Sequence, residues 1–230
     1  MRIKMLSFAE SLMDYYQGLK PPKNLPENVE VMNPYQRAET FKIASAFYHK
    51  YYNDTNKRFI CFGINPGRFG AGVTGVPFTD PIRLEKVCGI KNDFEKKAEL
   101  SSKFIYDMID AHGGPAIFYS KFYISAVSPL GYVREGINLN YYDIKGFKEL
   151  FEEYTVTEIK KQFALGISRK TAFSLGRGQN VKYLNWLNNR YHLFEKIIPL
   201  PHPRWIMQYR LKRKEAFVQE YLDTFNNYLQ

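Results

Sequence analysis

At 230 residues, with 45% hydrophobic and 24% charged positions, the chain is long enough for one well-packed α/β domain and ordinary in composition for a globular protein. Two values depart from the ordinary, a net charge of +10 and an aromatic content of 17%; they suit either a polyanion whose flat bases stack on rings or a basic enzyme with no special partner. Cys61 and Cys88 alone exclude a disulfide framework and a four-cysteine zinc or iron–sulfur site, and the histidines at 49, 112, 192 and 202 show no ligand spacing, so no metal and no cofactor is expected.

The first segment, MRIKMLSFAESLMDYYQGLK, has the spacing of an amphipathic helix and neither the apolar core nor the small-residue cleavage site of a signal peptide. No run of about 18 apolar residues occurs in the chain. The expectation is a soluble, intracellular, cytoplasmic protein with no membrane partner. A Pro/Asn-rich connection, Pro21–Gln36, leads to a second helix over Arg37–Tyr52. Arg58–Ile64 is a short apolar run closed by Asn-Pro-Gly and reads as a central strand. Lys96–Gly114 is an amphipathic helix stopped by Gly113 and Gly114. Ala116–Leu130 reads as the second strand region, and Gly146–Gly166 as a helix with a break point near Thr155. Lys170–Gly176 is the third strand, Asn180–Tyr191 a helix, Phe194–Arg204 a fourth strand running into a Pro-rich loop, and Trp205–Leu229 a closing helix.

Strands separated by helices build βαβ units, which predicts an α/β fold with a mainly parallel sheet and helices on both faces. One domain over 1–230 is expected, its first 55 or so residues forming a helical extension. In such sheets ligands bind beyond the carboxyl ends of the strands. That rule places together the loop after Ile64, the turn at Ser125–Pro129 and the loop after Leu200.

An Asn before Pro at a strand end, as at Asn65, either starts a turn or presents its amide to a site. The glycines at 63, 67, 70, 72 and 75 lack the Gly-Lys-Ser/Thr of a phosphate loop and do not fit the dinucleotide fingerprint. Such a loop lets backbone approach a ligand closely and turns N–H groups toward it. His202 is held in an extended path by Pro201 and Pro203, for a structural or a catalytic purpose. Arg204, Trp205, Ile206 and Met207 follow, either as a buried helix start or as a wedge entering a base stack, with Arg210, Lys212, Arg213 and Lys214 behind them for phosphates.

Jointly these segments resemble a known family. GINPGRFGAGVTGVPF, Gly63–Phe78, looks like the first motif of the uracil-DNA glycosylase superfamily, in the pattern of its single-strand-selective monofunctional branch. The 13-residue step from Asn65 to Phe78 agrees with that branch. PHPR, Pro201–Arg204, resembles the second motif. The resemblance implies a three-layer α/β/α sandwich around a four-stranded, mainly parallel sheet. It also implies a monomeric, monofunctional glycosylase that hydrolyses the bond between deoxyribose and a damaged pyrimidine in single-stranded or damaged duplex DNA.

A base inside a duplex is unreachable, so the implied enzyme flips it out. By the resemblance, Phe78 stacks on the flipped ring, backbone N–H groups around Gly63, Ile64 and Asn65 bind its oxygens, and Phe69 belongs to the same base-binding loop. His202 stabilises the departing base anion at O2 and Asn65 holds the attacking water. Arg204, Trp205 and Ile206 form the wedge, with Arg210 and Lys212 on phosphates. Gly67 stands where strictly uracil-specific relatives carry a bulky Tyr, which leaves room for a C5 substituent such as hydroxymethyl. Ala126 stands where the family usually places the Asn that reads the uracil edge, with Ser125 and Ser128 beside it as alternative contacts. Arg204 replaces the usual Ser-Pro continuation of the second motif. These departures leave a second expectation in place, a protein of the same fold that binds damaged or single-stranded DNA without efficient cleavage.

Overall fold

The computed structural model describes residues 6–229. Helix α1 (Phe8–Gln17) starts at a reciprocal cap: Ser7 Oγ accepts from the Glu10 N–H, and the Glu10 carboxylate accepts from the Ser7 N–H. Strand β1 (Glu30–Met32), a 3-10 turn at Pro34–Gln36 and helix α2 (Ala38–Tyr51) lead to β2 (Arg58–Gly63). Short helices α3 (Ala71–Thr74) and α4 (Pro81–Lys86) follow, then α5 (Leu100–Ala111), α6 (Pro115–Lys121) and β3 (Phe122–Ala126). The chain continues through β4 (Gly131–Arg134), β5 (Ile137–Leu139), α7 (Phe147–Phe163), β6 (Ile167–Leu175), α8 (Gln179–Tyr191) and β7 (Lys196–Leu200). It closes with α9 (Pro203–Tyr209) and α10 (Lys214–Tyr228).

The main sheet has the order β3-β2-β6-β7, and every pairing in it is parallel. Strand β2 is central and buried on both faces, which is why RFICFG shows no polar alternation. Phe122 and Phe173 project to one side of the sheet, against Phe118 of α6 and Phe225 of α10, with ring centroids 4.5–5.0 Å apart for Phe122–Phe225, Phe173–Phe225 and Phe118–Phe122. Tyr123 and Ser125 project to the other side, where Tyr16 of α1 and Gln162 of α7 bond their hydroxyls, each at 2.7 Å. The result is the α/β/α sandwich with a four-stranded parallel sheet. No helix among the described residues is long and apolar enough to cross a membrane.

Several elements differ from the sequence reading. Residues 116–121, read as the start of a strand, belong to helix α6, with Pro115 in its first turn. The aromatics there suggested β structure, yet Phe118 and Tyr119 are buried at helical spacing, and tertiary packing overrides the weak propensity. Helix α7 runs unbroken through Thr155, whose side chain is buried. The closing helix is interrupted: Arg210 leaves helical geometry and a 3-10 turn at Leu211–Arg213 separates α9 from α10. Of the first predicted helix, residues 1–5 lie outside the described residues.

A second sheet, antiparallel in the order β1-β4-β5, was not foreseen. Its hairpin turns on Glu135 and Gly136, both in the left-handed region at φ 50° and 73°. A two-residue loop of that kind matches the twist of the flanking strands, but Glu-Gly is a weaker signal than Asn-Gly. The hairpin carries Asn138 and Leu139 across the carboxyl end of the main sheet.

Candidate active site

The motif loop is clamped from outside by the N-terminal elements. The carbonyl of Gly75 accepts from the hydroxyls of Tyr35 at 2.9 Å and Tyr48 at 3.4 Å, that of Val73 from Thr40 Oγ1 at 2.9 Å, and that of Gly72 from the Arg37 guanidinium. Gly75 has φ +70°, and a Cβ there would lie 3.0 Å from that of Ala44, so only glycine fits this turn. The N–H groups of residues 72–75 are spent on carbonyls within the loop itself, at Gly67, Gly70 and Ala71. They form α3 and do not face a ligand, which corrects the expectation of inward N–H groups across this loop.

Phe78 is the outcome of that clamping. Thr74 Oγ1 donates to the carbonyl of Thr79 at 2.7 Å and accepts from the N–H of Val76, closing a tight turn around Pro77 and Phe78. Phe78 takes φ +52°, a strained conformation for a bulky residue and one that persists where surrounding structure over-determines it. Its ring lies over Gly63: a Cβ on Gly63 would sit 2.9 Å from Cε2. The small residues of the loop thus seat an aromatic ring on the end of β2.

A cavity of about 560 Å³ opens beyond the carboxyl ends of β2, β3, β6 and β7. Asn65, Phe78, Ala126 and His202 all line it, so the three segments named from the sequence do meet. The Asn65 amide is fixed at both ends: Oδ1 accepts from the Tyr141 N–H at 2.9 Å, and Nδ2 donates to the carbonyl of Leu139 at 3.1 Å. This cross-link joins the tip of β2 to the end of β5. One lone pair of Oδ1 remains for a water or a substrate group.

His202 caps α9, its Nδ1 accepting from the Arg204 N–H at 3.1 Å. Burial, with the Arg204 cation beside it, pushes the imidazole down to about 4, so it is neutral near pH 7. A neutral imidazole whose Nδ1 accepts carries its proton on Nε2. His202 therefore presents a neutral N–H donor, in a ring whose centroid is 6.0 Å from that of Phe78.

Other residues singled out from the sequence are placed differently. Ser125 borders the cavity, but its hydroxyl donates to Gln162, because alternation along β3 sends its side chain to the opposite side of the sheet from that of Ala126. Ser128 is buried against Tyr132 and the carbonyl of Leu130. Both hydroxyls are thus occupied within the protein. Phe69 is 44% exposed and outside the cavity lining, its ring 3.8 Å from the Lys97 ammonium. Ile206 is 0% exposed in the core, so its side chain is not part of a wedge. Trp205 is 40% exposed at the cavity rim with the Arg210 guanidinium 4.9 Å from its ring centroid, and Arg204 and Lys212 are exposed nearby.

Lining residues not anticipated include Glu99, the hairpin residues Asn138 and Asn140, and Gly176–Asn180 after β6. The last group had a usable signal, since Gly176 and Gly178 follow a predicted strand end. Asn180 is occupied structurally, its Nδ2 donating to the carbonyls of Phe62 and Gly63 and its Oδ1 accepting from the Tyr141 hydroxyl. Among the described residues no group of His, Cys, Asp and Glu is arranged to hold a metal ion.

An aromatic seated on a strand end, an amide and a neutral imidazole donor thus meet in one cavity. The family model of the Uracil DNA glycosylase superfamily matches residues 49–226, and the chain belongs to that superfamily. Among solved structures it is similar to wild-type SMUG2 of Pedobacter heparinus, with 42% identity, a TM-score of 0.94, and 97% of this chain and 98% of that one covered. No curated protein matches the chain.

Proposed function

We propose that this protein is a monofunctional DNA glycosylase that hydrolyses the N-glycosidic bond of uracil, or of a C5-modified uracil, in DNA. The observation that carries the reading is the neutral His202 Nε2–H donor opening on the same cavity as Asn65 and the strained Phe78 ring. A flipped base stacks on Phe78. As the bond to deoxyribose breaks, negative charge grows on the pyrimidine, and an N–H donor already oriented by its own cap stabilises it without reorganisation. Asn65 fixes the water, and its tether to Leu139 and Tyr141 makes that position rigid. Among the described residues that line the cavity there is no lysine, which favours hydrolysis over covalent attack and strand cleavage.

Base recognition is assigned to the hairpin. Ala126 offers no hydrogen bond and the hydroxyls of Ser125 and Ser128 face elsewhere, whereas Asn138 Nδ2 lies 3.7 Å from the position a Cβ on Gly67 would take. A C5 substituent entering over Gly67 meets that amide.

The direct test is a single-stranded oligonucleotide carrying one deoxyuridine, incubated with the protein in EDTA and then treated with hot alkali, beside one carrying 5-hydroxymethyluracil. Breakage only after alkali supports the reading. Tight, salt-sensitive binding with no breakage of either favours the DNA-binding alternative, to which the missing edge-reading Asn lends weight.

Gly63→Ala is expected to push the Phe78 ring off its seat, an overpacking of about 1–3 kcal/mol, and to raise KM about tenfold or more with a smaller change in kcat. Steady-state kinetics on the uracil oligonucleotide check it, and an unchanged KM contradicts the stacking role. Lys212→Ala is expected to weaken DNA binding alike for all sequences and to lower the slope of log affinity against log salt by about one. Anisotropy titrations at several salt concentrations measure that slope.

A further inference from the structure

Among the described residues that line the cavity there is a single carboxyl group, Glu99, and the scheme above gives it no task. Glu99 stands at the start of α5, but its side chain does not cap that helix. Its N–H donates to Asp80 Oδ2 at 3.0 Å. Asp80 is fully buried and also accepts from the Arg83 N–H and guanidinium, so the backbone of Glu99 is pinned. The carboxyl group then leans over Gly70, where a Cβ would come within 2.1 Å of Oε2. Glycine at 70 is what leaves the carboxyl its place beside the cavity. Two ionisable groups act on it: Asp80 opposes its charged form and Arg204 favours it. Burial and Asp80 prevail and push Glu99 up to about 7.

Hydrolysis forms a C1′–O bond to water and breaks C1′–N1, the electron pair leaving with the base. The attacking water must lose a proton. Asn65 is a neutral amide and a poor base. His202 cannot take the proton either, because its Nδ1 is occupied by the Arg204 N–H and its Nε2 already carries hydrogen. We propose that Glu99 is a further catalytic residue of the glycosylase proposed above, the carboxylate that accepts the proton of the water held by Asn65. Its charge also favours the oxocarbenium-like sugar, and its proton passes to solvent once the base has left. The role rests on the glycosylase reading and adds the acid–base group that reading lacks.

The sign of the pH dependence follows. The base must be ionised, so the rate rises with pH toward a plateau above about 7, while His202 stays neutral throughout that range. Stability runs the other way. A carboxyl raised from its ordinary 4.5 costs stability as pH climbs from 4.5 through about 7, and Glu99→Gln removes that cost. The variant should therefore melt at or above the wild-type temperature at pH 8.

The experiment is single-turnover base release from the deoxyuridine oligonucleotide between about pH 5.5 and 8.5, for the wild type, Glu99→Gln and Glu99→Asp, with DNA affinity and melting recorded for each. The expected result is an acid limb near pH 7 in the wild type. In Glu99→Gln the rate should fall about 100-fold with the limb gone, and Glu99→Asp should restore part of the rate together with a limb. DNA affinity should hold in both variants. A Glu99→Gln enzyme that keeps the wild-type rate overturns the proposal, as does one that slows but keeps the limb, which marks a structural role. A wild type that releases neither uracil nor 5-hydroxymethyluracil overturns the glycosylase reading itself, and this role with it.

Discussion

Asn65→Ala is expected to lower kcat for uracil release by about 10³-fold while DNA affinity stays within about twofold of the wild type. The magnitude follows from what the side chain does. In the role proposed for it, it holds a water where the sugar opens, and it carries no charge that would add to DNA binding. Its tether to the backbone at Leu139 and Tyr141 makes that position cost nothing to adopt during the reaction. The same tether means that the substitution has a structural cost. Two hydrogen bonds to the β5 end are lost, at about 0.5–1.5 kcal/mol each, and the melting temperature should drop modestly. Rapid-quench kinetics with enzyme in excess, together with anisotropy on uncleaved DNA, separate the effects. Loss of affinity in step with loss of rate would contradict the assigned role.

His202→Ala is the second large effect, with kcat falling about 10²–10³-fold, the range seen when one donor to a developing anion is removed. The pH behaviour tells His202 from Glu99. His202 lies near 4 and Glu99 near 7, so the residual activity of His202→Ala should keep an acid limb around pH 7. Stability gives an independent reading. The folded imidazole sits below its ordinary 6.5, so the unfolded chain binds more protons between the two values. Wild-type stability therefore falls as pH drops from 6.5 toward 4, and the His202→Ala protein lacks that loss. Melting curves at pH 5 and pH 8 should show the variant gaining on the wild type at the lower pH. A constant difference across that range would mean that the imidazole is not held neutral.

The sequence by itself determined the four parallel strands, their order of appearance with helices between them, and the meeting of Asn65, Phe78 and His202. The reason is local. A strand buried on both faces reads as an apolar run, the turn after it is punctuated by Asn-Pro-Gly or Pro-His-Pro, and a parallel sheet collects all such ends on one edge. The tertiary structure alone decided which side chains point into the space so formed. Ser125 and Ala126 are neighbours in sequence and both border the cavity, yet the Ser125 hydroxyl is spent on Gln162 behind the sheet, a choice made by the alternation of side chains along the strand. Ile206 looked like a wedge and is core, because α9 is docked against its neighbours through that residue. The β1-β4-β5 sheet rests on strands of three and four residues, too short to show a period, and it brings Asn138 over Gly67 from 71 positions further along the chain. Glu99 falls in the first turn of the helix read over Lys96–Gly114, where nothing in the sequence marks it for a site. Only the buried Asp80 beneath its backbone and the open space at Gly70 turn its carboxyl group toward the cavity.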